Sequence, residues 1–105
     1  MCPFNSDPPK FAQLLKSKVV KQGGSVSLTI ATLGDPTPDV MWMKDGKPLA
    51  KMANIMMTEG KGLHTLTLKN TSLSDAGTYG VIASNHLGES ICEARLDVHG
   101  NFFIQ

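Results

Sequence analysis

The chain has 105 residues, enough for one domain and too few for two ordinary ones. Ten Lys plus Arg stand against nine Asp plus Glu, a net charge of +1, and Arg95 is the single arginine, which argues against an electrostatic nucleic-acid binder. Hydrophobic residues make up 41%, enough for a core. No stretch reaches the roughly 20 apolar residues of a membrane helix, and two cysteines, Cys2 and Cys92, are too few for a disulfide scaffold.

Residues 1–8 read as linker or tail, and Met1-Cys2-Pro3-Phe4-Asn5 lacks the basic start and apolar segment of a secretory signal. Phe11 to Val19 comes nearest to a helical repeat. The proline pair Pro8-Pro9 before it and Val19-Val20 at its end favour an extended edge strand instead. Val26, Leu28 and Ile30 then alternate with Ser25, Ser27, Thr29 and Ala31, the period of two of a half-buried strand. Gly34-Asp35-Pro36-Thr37-Pro38 breaks it. Val40 and Trp42 alternate with Met41 and Met43, and Asp45-Gly46 signals a tight turn.

The Met-rich stretch 51–58, with Met52, Ile55, Met56 and Met57, predicts a short strand near 54–58, and Glu59-Gly60-Lys61-Gly62 a turn. His64, Leu66 and Leu68 alternate with Thr65, Thr67 and Lys69. A turn region covers Asn70 to Gly77. Tyr79, Val81 and Ala83 alternate with Thr78, Gly80, Ile82 and Ser84, and Asn85 to Gly88 forms a hairpin turn. Cys92, Ala94, Leu96 and Val98 alternate with Ile91, Glu93, Arg95 and Asp97. Short strands at regular spacing with turns between them predict an all-β sandwich or barrel. Gly100 to Gln105 read as a second linker or tail, which leaves residues 9–99 as the domain.

From about Pro9 to Val98 the chain resembles an immunoglobulin domain of the I-set type. The resemblance rests on Gly24 to Ile30, on Gly34 to Pro38 followed by Val40-Met41-Trp42, and on Lys44-Asp45-Gly46-Lys47-Pro48-Leu49. It continues through Leu66-Thr67-Leu68, Asp75-Ala76-Gly77-Thr78-Tyr79, Ala83-Ser84-Asn85 and Leu87-Gly88-Glu89. It implies a two-sheet Greek-key sandwich with a structural core of Ile30, Trp42, Leu66, Leu68, Asp75, Tyr79, Val81 and Cys92. Trp42 fills the space between the sheets, and Tyr79 forms the family's corner. Asp75 caps the turn before it, and Gly77 allows the bend.

The family's inter-sheet disulfide is absent, because the aligned positions are Ile30 and Val81. A bridge there would close a loop of roughly fifty residues, worth about 4 kcal/mol in the chain-entropy model. Cys92 reads as a buried free thiol. A domain that does without the bridge suits a reducing compartment. The resemblance is to the intracellular modules of titin, obscurin, myosin-binding protein C, the myosin light chain kinases and palladin. It implies a cytoplasmic spacer and docking module of the sarcomere or actin cytoskeleton. Its partners would be neighbouring immunoglobulin or fibronectin III domains and filament or cytoskeletal proteins. An extracellular adhesion or receptor domain lacking its bridge, or a domain flanking a muscle-type kinase, are the alternatives.

Other chemistry finds little in these residues. His64, His86 and His99 lie in a strand, a turn and the chain exit, without metal-ligand spacing. No nucleophile elbow, phosphate loop or cofactor motif occurs, so the expectation is a non-enzyme without cofactor, metal, nucleic-acid or membrane ligand. Asn70-Thr71-Ser72 fits a glycosylation acceptor that would be inert in the cytosol. The candidate protein-binding patch is Met41, Met43, Gly80, Ile82 and Ile91, outward positions of the third, sixth and seventh strands where polar residues are expected, with Gly80 leaving its neighbours uncovered. A sheet edge is the second candidate, although Pro9, Lys10, Lys16, Lys18 and Lys21 would guard the first edge.

Overall fold

The computed structural model describes residues 7–49, 54–60 and 62–100. Cys2, Met52 and most of the two expected linkers therefore lie outside the described residues. Among the described residues the strands run β1 (Asp7–Gln13), β2 (Lys18–Lys21), β3 (Val26–Asp35), β4 (Asp39–Lys44), β5 (Lys47–Pro48), β6 (Ile55–Gly60), β7 (Leu63–Leu68), β8 (Gly77–Asn85) and β9 (Gly88–His99). One sheet has the order β1-β3-β7-β6 and the other β2-β9-β8-β4-β5, which gives the expected two-layer sandwich. All pairs are antiparallel except β2 with β9.

Alternation places the core. Leu28 and Ile30 of β3 and Leu66 and Leu68 of β7 point inward from one sheet; Trp42 of β4, Tyr79, Val81 and Ala83 of β8, and Cys92 and Leu96 of β9 point inward from the other. Ile30 and Val81, at the positions where the resemblance implies a bridge, are both fully buried. Each contributes about 1.5–3 kcal/mol through burial. Cys92 is paired in register with Val81 and is a free thiol.

The N-terminal segment differs from the single edge strand expected over Phe11–Val19. It forms two strands in different sheets: β1 lies antiparallel to β3, and β2 lies parallel to β9. Between them Leu15 is 7% exposed, so the crossing itself puts an apolar side chain into the core. The Ser17 hydroxyl oxygen accepts the Arg95 backbone N–H at 3.1 Å and ties the crossing to β9. β1 starts at Asp7, inside the stretch read as linker. Asn85 Nδ2 donates to the carbonyls of Asp7 (2.9 Å) and Pro36 (3.0 Å), which secures that start. β6 likewise runs into the expected turn, with Glu59 and Gly60 paired to His64 and Leu63.

Two turns hold β8 in place. Asp45 and Gly46 both have positive φ (52° and 81°), the backbone of a tight hairpin turn. Asp45 N–H donates to the Thr78 carbonyl at 2.8 Å, and Asp45 Oδ1 accepts the Thr78 N–H at 2.9 Å. The carboxylate fits only because Gly77 has no side chain: at φ 154°, a Cβ there would lie 2.8 Å from both Asp45 oxygens. Asp75 Oδ2 accepts the Ser72 N–H at 2.8 Å, and Tyr79 donates its hydroxyl to the Asp75 carbonyl at 2.7 Å. Asp75 thus acts from a half-buried turn at the core's rim.

The chain enters and leaves at opposite poles. Asp7 sits with Pro36 and Asn85, whereas His99 accepts the Gln22 N–H, and the neighbouring Gly23 N–H donates to the Thr71 carbonyl.

Gly77→Ala is expected to lower stability by about 1–3 kcal/mol, read as a fall in the urea midpoint, because the new methyl must displace Asp45 from β8. Tyr79 makes a pH prediction. Its phenol is pushed up to about 12, chiefly by burial and further by the Asp75 and Asp45 carboxylates. An unfolded tyrosine ionises near 10. The stabilisation is therefore complete below pH 10 and is lost as pH rises through about 12. The stability difference between the wild type and Tyr79→Phe should narrow over that interval; a constant difference would contradict the assignment.

Candidate docking face

The outer surfaces of the two sheets differ in chemistry. On the β1-β3-β7-β6 sheet, Ser27 faces Thr67 and Thr29 faces Thr65, with hydroxyl oxygens 3.1 and 3.2 Å apart. These hydrogen-bonded hydroxyl pairs make the centre of that face polar, while Leu33, Met56 and Leu63 are exposed around them. On the other sheet, register brings Met41 of β4 opposite Ile82 of β8, and Ile82 opposite Ile91 of β9. One apolar side chain from each of three neighbouring strands forms a row across the sheet. Met41 is 52% exposed and Ile91 59%.

Acidic residues flank that row. On one side the register runs Asp39, Ser84, Glu89, and on the other Met43, Gly80, Glu93. Asp39, Val40, Met41, Ile82, Ser84 and Glu89 line a shallow depression of about 410 Å³. The basic groups nearby are engaged elsewhere. Arg95 Nε pairs with Asp97 Oδ1 at 3.0 Å, and Lys44 donates to the Ser74 carbonyl and lies 5.9 Å from the Tyr79 ring centroid.

The patch is narrower than the five residues expected. Gly80 is buried, and a Cβ on it would lie 3.3 Å from Glu93 Cγ, so the glutamate stem covers the surface that a missing side chain was expected to leave open. Met43 is half-buried at the β4–β5 pairing, where it faces Pro48. Ile82 is likewise half-buried, between the exposed Met41 and Ile91, and these three make up the row.

The residues expected to build the core are placed as follows. Ile30, Leu66, Leu68 and Val81 are fully buried, and Trp42, Tyr79 and Cys92 are buried around them. Burial pushes the Cys92 thiol up, a backbone hydrogen bond from Leu15 opposes that, and the Glu93 charge adds to it. Asn70 is exposed on its turn at φ 53°, while Thr71 is buried and shares its hydroxyl between the carbonyls of Lys21 and Gly24. That turn serves the fold. His64 is buried facing the core, and His86 and His99 are exposed. Among the described residues, no group of three or more His, Cys, Asp and Glu is placed to hold a metal, and no helix is long and apolar enough to cross a membrane.

A second opening escaped the sequence reading. Between β6 and β4 lies a cavity of about 250 Å³, lined by Pro38, Val40, Trp42, Met57, Glu59 and His64 among others. Its trace in the sequence is Ile55-Met56-Met57-Thr58, an apolar run with neither Lys nor Pro to guard it.

Comparison with known proteins places this architecture. Residues 9–98 match the family model of the Immunoglobulin I-set domain. The chain is 39% identical over 90 residues to fast-type myosin-binding protein C of Mus musculus, a match covering 86% of this chain and 8% of that protein. It therefore spans under a tenth of the length of this relative. It resembles the titin M3 domain with a TM-score of 0.86 and 36% identity, over 90% of this chain and 99% of the other. A chain of the titin M10–obscurin-like 1 Ig complex gives a TM-score of 0.89 and 30% identity, over 93% of this chain and 100% of the other.

The placement of Cys92 has a direct chemical check. In a Cys2→Ser background, the native domain should resist a thiol reagent at neutral pH and react fully in urea. Native labelling as fast as that of free cysteine would contradict the burial.

Proposed function

The chain belongs to the immunoglobulin I-set family, and from that premise we propose that it is a structural spacer and docking module within a longer sarcomeric or cytoskeletal polypeptide. The observation that carries the docking role is the Met41–Ile82–Ile91 row, in which three apolar side chains lie side by side in register across β4, β8 and β9, with Met41 and Ile91 exposed. A solvated sheet face is ordinarily polar. An apolar row that runs across three neighbouring strands is a surface a protein partner would cover, and Met41 adapts to varied shapes. Muscle relatives such as myosin-binding protein C, and the titin M10 complex with an obscurin-like 1 Ig domain, make filament proteins and other immunoglobulin-type domains the favoured partners. The role needs no catalytic group.

The spacer role follows from the opposite poles. Tension applied at the two ends shears β2 along its parallel partner β9, where four register pairs from Lys18–Leu96 to Lys21–His99 must yield together. The buried Ile30–Val81 pair leaves no covalent limit to extension afterwards. A cytoplasmic location is part of the same reading, because two apolar residues occupy the positions where an oxidising compartment would favour a bridge.

The test pairs Met41→Glu with Ile91→Glu. Both side chains are half-exposed, so the melting temperature should stay within a few degrees. Co-sedimentation with purified actin filaments, with myosin filaments and with recombinant immunoglobulin domains should show binding for the wild type that falls at least tenfold in the double variant. Binding that is unchanged by the substitutions would remove this face from the docking role.

A further inference from the structure

Each of the two sheets ends in two edge strands, and three of the four edges are guarded. β1 contains Pro8 and Pro9, which lack an N–H, followed by Lys10, and its register with β3 breaks twice. β2 has four residues and begins and ends on lysine. β5 has two residues and ends on Pro48. Such features discourage pairing with a further strand. β6 has none of them. Its six residues, Ile55 to Gly60, contain no Pro or Lys, and all six pair with β7 in unbroken register.

The hydrogen-bond phase shows what that edge offers. Lys69 N–H donates to the Asn54 carbonyl at 2.9 Å, at the position that continues the β6–β7 register. Antiparallel pairs alternate between bonded and non-bonded. The groups of Met56, Thr58 and Gly60 therefore face β7, and the N–H and C=O groups of Ile55, Met57 and Glu59 face outward. The side chains of Met57 and Glu59 point toward the space between the sheets, because their partners are the buried Leu66 and His64.

The 250 Å³ cavity opens beside the same strand. Among the described residues β5 is too short to extend the opposite sheet over it, and Trp42 and Val40 form a wall of the cavity. A strand laid along β6 continues the pleat, and its residues opposite Met57 or Glu59 point into this space. Asp39 and Glu59 line the cavity and no Lys or Arg does, so its charge favours a basic neighbour.

From these observations we infer that β6 is a strand-addition site for an extended segment of a partner chain. The segment pairs with the backbone of Ile55, Met57 and Glu59, places one large apolar side chain in the cavity beside Trp42, and sets a Lys or Arg against Asp39 and Glu59. Backbone bonds supply affinity, and the cavity with its acidic rim supplies selectivity. The pairing edge lies on the opposite sheet from the Met41–Ile82–Ile91 row, although Asp39 and Val40 border both the cavity and the depression beside Met41.

The probe is a synthetic peptide alternating Val and Thr, with one Leu at its centre and a Lys at each end. Its control is the same peptide N-methylated on alternate amides. Added to the domain, the peptide should slow amide hydrogen exchange at Met57 and Glu59 at least tenfold and shift Trp42 emission to the blue; the methylated peptide should do neither. Met57→Pro removes an outward N–H and leaves the β7 ladder intact, so it should fold and lose the protection. Glu59→Lys keeps every backbone bond and should weaken binding at least threefold. Unchanged exchange at millimolar peptide overturns the inference. So does protection that maps to β4, β8 and β9. Protection at β6 that grows with domain concentration in the absence of peptide also overturns it, since the occupant is then a second copy.

Discussion

The sandwich is held closed by side chains alone. Ile30 and Val81 are both fully buried between the sheets, at the positions where a sulfur bridge would otherwise tie β3 to β8, in one core cluster with Trp42, Tyr79 and the leucines Leu28, Leu66, Leu68 and Leu96. The bridge's roughly 4 kcal/mol of chain-entropy stabilisation is offset in part by about 1.5–3 kcal/mol from each buried replacement. The closing force is therefore non-directional, and precision has to come from elsewhere. Hydrogen-bonded corners supply it: Tyr79 to the Asp75 carbonyl, Asp45 to both backbone groups of Thr78, and Thr71 to the Lys21 and Gly24 carbonyls. Each fixes how a strand enters the core, and Gly77 is the point where that fit tolerates no side chain.

With the inner faces committed to packing, the outer faces are free to diverge. One carries hydrogen-bonded Ser and Thr pairs at its centre, with Leu33, Met56 and Leu63 exposed around them. The other presents three apolar side chains in a row between acidic flanks. Cross-strand register alone creates that row, because Met41, Ile82 and Ile91 are far apart in sequence and come together only when β4, β8 and β9 pair as they do. The same register closes the patch at Gly80, where the Glu93 stem folds across. A glycine in a strand therefore does not by itself mark exposed surface.

The division of strands between the sheets also decides where the molecule is open. Splitting the N-terminal segment gives each sheet an edge strand with built-in protection. The five-stranded sheet receives β5 as a stub, and the four-stranded sheet ends at β6, a strand without Pro or Lys. Among the described residues, the cavity beside Trp42 follows from that mismatch, since neither sheet extends far enough to cover the other there.

Much of this was legible in the sequence. The alternation of Val26, Leu28 and Ile30, of Leu66 and Leu68, and of Tyr79, Val81 and Ala83 fixes strand and inward face together, because the pleat has a period of two. Asp45-Gly46 and Asp75 to Tyr79 announce their turns, since few residues accept those backbone angles and hydrogen bonds. Cysteine identity alone excludes a bridge between positions 30 and 81. Other features depended on which strands became neighbours. Phe11 to Val19 read as one strand because sequence has no term for a change of sheet; Leu15, buried at the crossing, is apolar in either reading. Glu59-Gly60 resembles a turn until His64 and Leu63 pair with it. The extent of the Met41–Ile82–Ile91 row, the cover over Gly80 and the open edge at β6 are relations between distant segments. Local propensity determines what each segment can become, and only the pairing of segments determines which surfaces remain uncovered.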